Sequence, residues 1–293
     1  MMGAQRRAVL IAGPTASGKS ALALERAQAS GGIIVNADSM QVYDTLRIVT
    51  ARPGAAEEAL AEHRLYGVVP AGQRFSTGQW VRAVAAVLAD GAPERELIFV
   101  GGTGLYFDAL TKGFADVPEI PEQVVLEVKQ EIQALDEAGR RALLAREDPG
   151  TAHRLKVADP QRVLRALAVK RATGRTLSSF QSDQQPGLLA EWDIERLVLW
   201  PDRDVLRARI ARRFETMFSS GAVQEVEALL AQRLDPALPA MKAIGVPEIA
   251  GWLDGTLTRQ EAVERAIIAT QQYAKRQRTW FRNRMGDWPR RTL

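Results

Sequence analysis

The chain has 293 residues, enough for one large domain or two smaller ones. Its 46% hydrophobic and 25% charged content is that of a globular protein with a sizeable core. Absence of cysteine excludes disulfides, thiolate metal sites and a cysteine nucleophile, and two histidines, His63 and His153, are too few for a multi-histidine metal centre. No apolar run approaches the roughly 18 residues of a membrane span. The first seven residues lead straight into a strand and leave no room for a secretory leader, so a cytoplasmic protein without membrane partners is expected.

The first strand is Ala8-Val9-Leu10-Ile11-Ala12, and it feeds Gly13-Pro14-Thr15-Ala16-Ser17-Gly18-Lys19-Ser20 and then a helix-like Ala21-Leu22-Ala23-Leu24-Glu25-Arg26. This is the G-x-x-x-x-G-K-[ST] phosphate loop in its strand–loop–helix context. Its glycines let backbone amides converge on phosphate oxygens, the helix N-terminus adds positive potential, and Lys19 supplies a point charge. The Ser20 hydroxyl is placed for a Mg²⁺ ion bridging the same phosphates. By itself such a loop reads equally as an ATP-binding or other nucleotide-binding element.

A second buried strand is expected at residues 31–37, ending in the polar Asp38-Ser39-Met40-Gln41-Val42-Tyr43. Residues 53–62 read as a loop or short helix, 65–69 as a short strand, and 76–90 as a helix with Trp80, Val84 and Val87 at helical spacing. A third buried strand, Glu96-Leu97-Ile98-Phe99-Val100, runs into Gly101-Gly102-Thr103-Gly104-Leu105-Tyr106. Alternating strands and helices predict a phosphate-loop NTPase-like α/β core, a parallel sheet with helices on both faces.

From 121 to 187 the pattern is helical only, which predicts an inserted all-helical subdomain between core segments 1–120 and 188–293. Within it, Asp159 and Pro160 open a helix over 161–173 that stops at Gly174. Strand character returns over 196–200, followed by a helix from Asp204, and the last helix is expected over 259–284 with Lys275, Arg278 and Arg282 on one face. The net charge of +4 hides two basic clusters. Ten lysines and arginines against three acidic residues fall in 139–176, and seven against Asp287 alone fall in 271–293. A solvated basic helix face is one reading of either cluster; a polyanionic partner larger than a nucleotide is the other.

Three strand ends converge on the phosphate loop. Asp38 is the first carboxylate within reach, as Mg²⁺ ligand, general base or helix cap. Thr103 lies in a glycine-rich turn, where its hydroxyl would touch a phosphate or serve only the turn. Of Arg209, Arg212 and Arg213, one would neutralise a leaving diphosphate, and surface charge suits at least two.

The phosphate loop and the stretches 38–43 and 101–106, together with Pro201-Asp202-Arg203, Arg209-Ile210, Arg213-Phe214, Ala243-Ile244-Gly245, Gln272-Tyr273-Ala274-Lys275-Arg276-Gln277 and Thr279-Trp280-Phe281, resemble the tRNA dimethylallyltransferases, the IPP transferase family. These motifs occur in the family's order and span nearly the whole chain. The resemblance implies transfer of dimethylallyl from dimethylallyl diphosphate to N6 of the adenosine at tRNA position 37, next to the anticodon. The loop (Gly13, Thr15, Ala16, Ser17, Gly18, Lys19, Ser20) would hold a diphosphate rather than a triphosphate, with Mg²⁺. Asp38 would take the amine proton, and Thr103 and Arg209 would stabilise the bridging oxygen and leaving group. Ser39, Met40 and Gln41 would help hold the target base, and Gln161, Arg162, Val163, Leu164 and Arg165, with Lys275, Arg278 and Arg282, would contact the tRNA anticodon stem-loop. The base must then leave its stack.

The chain departs from the family pattern in three places. Arg52 replaces a usual lysine, Val125 a tRNA-contacting arginine, and Val246-Pro247 a Tyr-Lys pair. A monomeric prenyltransferase acting on tRNA is the reading adopted. Two alternatives stand beside it: a small-molecule kinase, which leaves the basic clusters without purpose, and a nucleotide-gated RNA-binding protein, which leaves Asp38 and Thr103 unexplained.

Overall fold

The computed structural model describes residues 6–90, 95–183 and 185–292. The leader argument rests mainly on residues 1–5 and so lies outside the described residues. By packing, the chain divides into two units, Met1–Ala109 with Leu189–Leu293, and Leu110–Leu188.

The first unit begins with β1 (Arg7–Ala12), the phosphate loop and α1 (Lys19–Ser30). It continues through β2 (Ile33–Asn36), α2 (Ala55–Glu58), β3 (Glu62–Arg64), α3 (Thr77–Ala89), β4 (Leu97–Gly101) and α4 (Gly104–Lys112), the division by packing falling inside α4. The second unit carries α5 (Glu122–Gln133), α6 (Glu137–Glu147), α7 (Pro149–Arg154), α8 (Pro160–Thr173) and α9 (Leu177–Ser182). The chain then returns to the first unit with β5 (Asp193–Leu199), α10 (Arg203–Ser219), α11 (Ala222–Ala231), α12 (Val246–Leu253), α13 (Arg259–Arg284) and β6 (Arg290–Arg291).

All strand pairs are parallel, in the order β3-β2-β4-β1-β5-β6. Every residue of β2 and β4 is buried whichever way its side chain points, which requires cover on both faces and explains their unbroken apolar runs. With β1 between β4 and β5, the phosphate loop leaves the carboxyl edge near the middle of the sheet, where ligands of open α/β sheets bind.

One strand expectation is corrected, and one strand was not expected. The edge strand is Glu62–Arg64 rather than 65–69: Leu65 (φ 63°) and Gly67 (φ 59°) take left-handed backbone that ends extended chain, and Val69 makes only an isolated bridge with Tyr43. The two-residue β6 is too short and too charged to show a strand pattern, and it forms by pairing with the outer edge of β5.

A second core of this unit packs α10, α11, α12 and α13 under the segment after β2, burying Val42, Leu46 and Val49 with Phe214, Val226, Leu229 and Ala266. In α13 the buried residues Ala262, Ala266, Thr270, Ala274, Gln277 and Phe281 fall three or four apart, one continuous seam of the helix. The helical unit has its own core of Val128, Ile132, Leu143, Leu144, Val163, Ala166 and Leu167. Its α8 starts as the sequence requires, with the Asp159 carboxylate accepting from the Gln161 and Arg162 amides at 3.1 Å and Pro160 in the first turn.

Candidate active site

The phosphate loop curls from β1 into α1 through Gly18, which holds φ 92° at the helix start, a conformation that costs a glycine little. No side chain caps α1, so its first amides remain directed at the loop's concavity. Lys19 is buried beneath them, its Nζ 3.5 Å from the Pro14 carbonyl. Burial pushes its pKa down to about 8, while the Asp38 carboxylate pulls it upward. At pH 7 a buried cation of this pKa lowers stability by about 3 kcal/mol, and that cost fades between pH 8 and 10.5 as the unfolded chain alone keeps the proton. An anion at the loop would recover it. The affinity for inorganic diphosphate should therefore fall about tenfold per pH unit above 8, a loss that titration calorimetry should not find in Lys19→Arg.

Two arginines of α10 reach the loop. Arg213 donates to the Thr15 hydroxyl at 2.7 Å and Arg209 to the Ser17 carbonyl at 3.4 Å. Arg212 lines the same cavity, and helical spacing brings all three to one side of the loop; Arg209 and Arg212 are exposed and Arg213 half-buried, as expected of a set in which two carry surface charge. The sequence ranks Arg209 first, whereas the structure gives Arg213 the shorter contact and the more desolvated guanidinium.

Gln277 ends one of the motifs that carry the family resemblance, yet sequence alone assigns it no role. Buried on the α13 seam, its Oε1 accepts from the Thr15 amide at 2.9 Å and its Nε2 donates to the Gly102 carbonyl at 2.9 Å. It ties the phosphate loop to the turn after β4, and a Cβ at Gly102 would stand 2.1 Å from Nε2, so any larger residue there would displace this amide. A glutamine on a helical seam of alanines, Thr270 and Phe281 was the available signal.

Asp38 stands half-buried at the end of β2. Its Oδ1 accepts from the Met40 amide at 3.0 Å and its own amide donates to Asn36 Oδ1 at 2.8 Å, so it closes a side-chain turn and caps no helix. Its Oδ2 takes no hydrogen bond from the described residues. The Thr103 hydroxyl accepts from the Ser39 amide at 2.9 Å and donates to Ser39 Oγ at 3.2 Å, which joins two strand ends rather than serving its own turn. Behind them Trp80 and Tyr106 stack at 4.0 Å, and the Trp80 indole donates to the Asn36 carbonyl. Gln41 is engaged elsewhere: buried, it donates to the Thr50 and Ala51 carbonyls at 2.9 and 2.8 Å.

Two cavities meet here. One, of about 870 Å³, is walled by the phosphate loop and by Lys19, Arg47, Arg52, Arg209, Arg212 and Arg213, against only Asp38 and Glu57 as acids. The other, of about 300 Å³, is lined by Ser39, Met40, Val49, Phe214, Ala243, Ile244 and Tyr273, with Lys242 and Arg276. They share Thr15, Asp38, Thr50 and Arg213. A strongly cationic chamber and a smaller one, walled partly by Met40, Val49, Phe214, Ala243 and Ile244, thus touch at a carboxylate. Among the described residues no group of three His, Asp or Glu could hold a metal ion. Ser20 borders the cationic chamber, so a Mg²⁺ ion would sit on one hydroxyl, waters and the ligand's own phosphate oxygens, the arrangement that this ion favours.

Of the residues expected to meet RNA, Lys275, Arg278 and Arg282 line one groove of about 390 Å³ with Trp200 and Arg203. Arg278 lies over the Trp200 ring at 4.2 Å and donates to the Pro201 carbonyl at 2.6 Å. In the helical unit Gln161, Arg162 and Arg165 are exposed, Leu164 is half-buried, and Val163 is wholly buried in the helical core, where its side chain meets no partner outside the unit. Val125 packs on that same core, and Val246 is buried beside Phe214.

An all-parallel sheet with this loop, a buried lysine and two arginines on the loop defines a phosphate-loop protein whose ligand carries a compact anionic group. No helix among the described residues is long and apolar enough to cross a membrane. The IPP transferase profile matches residues 41–284, and the chain belongs to that family. It is 50% identical over 289 residues to a tRNA dimethylallyltransferase of Rhizobium meliloti, covering 97% of this chain and 94% of that protein. It is 54% identical over 285 residues to another from a Methylobacterium species, covering 96% and 92%. Among solved structures it resembles the full-length tRNA isopentenylpyrophosphate transferase of Bacillus halodurans (TM-score 0.67, 28% identity, 98% of this chain and 90% of that one). It also resembles a eukaryotic dimethylallyltransferase acting on tRNA (TM-score 0.79, 27% identity, 94% and 70%).

Proposed function

We propose that this protein transfers the dimethylallyl group of dimethylallyl diphosphate to N6 of the adenosine at tRNA position 37. The observation that carries the reading is the meeting at Asp38 of the cationic chamber and the smaller chamber that Met40, Val49, Phe214 and Ile244 partly wall. The diphosphate lies on the loop amides with Lys19, Arg209 and Arg213, and the adenine, drawn out of the anticodon stem-loop, enters the second chamber past Ser39, Met40 and Tyr273. The adenine nitrogen forms a bond to the terminal allylic carbon as the carbon–oxygen bond to diphosphate breaks. Diphosphate leaves with the electron pair, and Asp38 Oδ2 takes the amine proton. Charge grows on the leaving oxygen, so most of the acceleration comes from the fixed cations. The Thr103 hydroxyl, held by a long 3.2 Å bond to Ser39, turns to the bridging oxygen. When bound, Mg²⁺ on Ser20 neutralises part of the diphosphate charge.

The test combines the protein, Mg²⁺ and unmodified tRNA with either radiolabelled dimethylallyl diphosphate or γ-labelled ATP. Prenyl label in tRNA supports the reading. Label leaving only ATP would assign a kinase, and tRNA retention with neither transfer would assign a binding protein.

Exposed cations on α8 and in the α13 groove supply the electrostatic part of tRNA binding. Replacing Lys275 and Arg282 together by alanine should lower tRNA affinity and reduce the slope of log K against log salt by about 1.5. Filter binding at several salt concentrations measures the slope, with inorganic diphosphate affinity expected to stay unchanged.

A further inference from the structure

The wall between the two chambers is the segment 47–52, and it is held from outside the site. Glu225, in the first turn of α11, accepts four hydrogen bonds from three consecutive backbone amides. Oε1 takes Arg47 N at 3.0 Å and Ile48 N at 2.7 Å, and Oε2 takes Ile48 N at 2.8 Å and Val49 N at 3.0 Å. Among the described residues no lysine or arginine forms an ion pair with it, so its hydrogen bonds come from backbone amides, while its charge also acts on the nearby Arg52. Successive amides turned inward form a concavity that suits an anion, and here the chain supplies that anion itself. The Gln41 amide fixes the following carbonyls of Thr50 and Ala51, and Ala51 sits at φ 52°. The consequence falls on the side chains this segment carries. Arg47, Thr50 and Arg52 face the cationic chamber, whereas Val49 and Thr50 face the smaller one.

We infer that Glu225 is a positioning residue for the reaction: by gathering the 47–49 amides it sets the partition that presents Arg47 and Arg52 to the diphosphate and Val49 to the prenyl and adenine chamber. The inference rests on the reading of the larger cavity as the diphosphate site. A glutamine at 225 fits the same space but turns an N–H₂ group toward N–H groups, so two of the four hydrogen bonds are lost, one outer amide (Arg47 or Val49) keeps no acceptor, and the wall loosens.

Titration calorimetry with Mg²⁺ and inorganic diphosphate, at a temperature where circular dichroism shows each variant folded, tests it without requiring prenyl transfer. E225Q should weaken binding about tenfold and E225D, which keeps the charge on a shorter stem, by less; R47A should weaken it about threefold, and the double variant E225Q/R47A should stay well short of the product of the two, because both act through one loop. In the transfer assay E225Q should raise KM for dimethylallyl diphosphate and lower kcat together. Should E225Q fail to fold, the E225D and R47A comparison carries the same non-additivity test. A parent that binds diphosphate beside an E225Q or E225D of equal affinity, or strictly multiplicative effects, would overturn the inference alone. A parent that binds no diphosphate would overturn the site reading and the inference with it.

Discussion

Replacement of Asp38 by asparagine is expected to lower kcat for prenyl transfer by about 10³-fold, the scale of a lost general base, while leaving tRNA binding within a factor of about two. The substitution isolates the charge. Asparagine keeps an Oδ1 acceptor for the Met40 amide, so the turn at the end of β2 survives, as does the bond from residue 38's amide to Asn36. It removes the one carboxylate oxygen without a hydrogen bond from the described residues. It also acts through Lys19. Asp38 raises the lysine's pKa against the desolvation that lowers it to about 8, so the variant's lysine loses its proton at a lower pH. Donor affinity in the variant should therefore begin to fall below pH 8, whereas the parent holds it until about 8. Single-turnover rates at pH 7 with saturating donor separate the two effects. A rate within about tenfold of the parent would remove Asp38 from the chemistry and leave the phosphate loop and its cations as the whole catalyst.

Gln277→Leu should damage both stability and diphosphate affinity from outside the loop. Leucine fills nearly the same volume on the α13 seam, so packing is kept and only two hydrogen bonds are lost. The Thr15 amide and the Gly102 carbonyl are then left unpaired, at a cost of about 3 kcal/mol for the pair. The loss is not confined to stability. Thr15 also accepts from Arg213, so loosening the loop at Thr15 displaces the arginine that faces the leaving group. Melting temperature should fall by several degrees, and inorganic diphosphate affinity should drop by about tenfold, which thermal unfolding and calorimetry would measure. Gln277→Glu adds a sharper expectation. It keeps an acceptor for Thr15 but sets a negative charge beside the anion site, so it should spare stability more than leucine does and harm diphosphate affinity more. Equal diphosphate affinity in parent and glutamate variant would show that this contact does not reach the site.

The phosphate loop could be read directly because its chemistry is local. The strand, the glycines, the lysine and the helix start are contiguous, and each constrains its neighbour through backbone geometry. Asp38 and Thr103 were legible for a related reason, since residues ending buried parallel strands must emerge at one edge of the sheet. The basic seam of α13 followed from helical spacing and proved to line one groove, with Lys275, Arg278 and Arg282 on it together.

What failed was equally specific. The strand expected at 65–69 had suitable residue types, but the left-handed backbone at Leu65 and Gly67 ended pairing at Arg64. Val163 lies in a stretch read as RNA-contacting, yet it faces the helical core because its neighbours on the same turn of α8 are the exposed ones. The Arg213 contact to Thr15 was also not legible from one helix, since it depends on where the phosphate loop lies beside α10.

Sequence alone determined the phosphate loop, the parallel α/β core, the helical insertion and, by the order of its motifs, the family. These rest on spacing along the chain, which periodicity and backbone chemistry expose. Only the tertiary structure decided that Gln277 bolts the loop to the turn after β4, that Glu225 gathers the 47–49 amides, and that two chambers share Asp38. Those contacts join residues 175 to 262 positions apart, in the cases of Glu225 with Ile48, Gln277 with Gly102 and Gln277 with Thr15. Such pairings are set by how helices pack on the sheet, a property no local pattern carries.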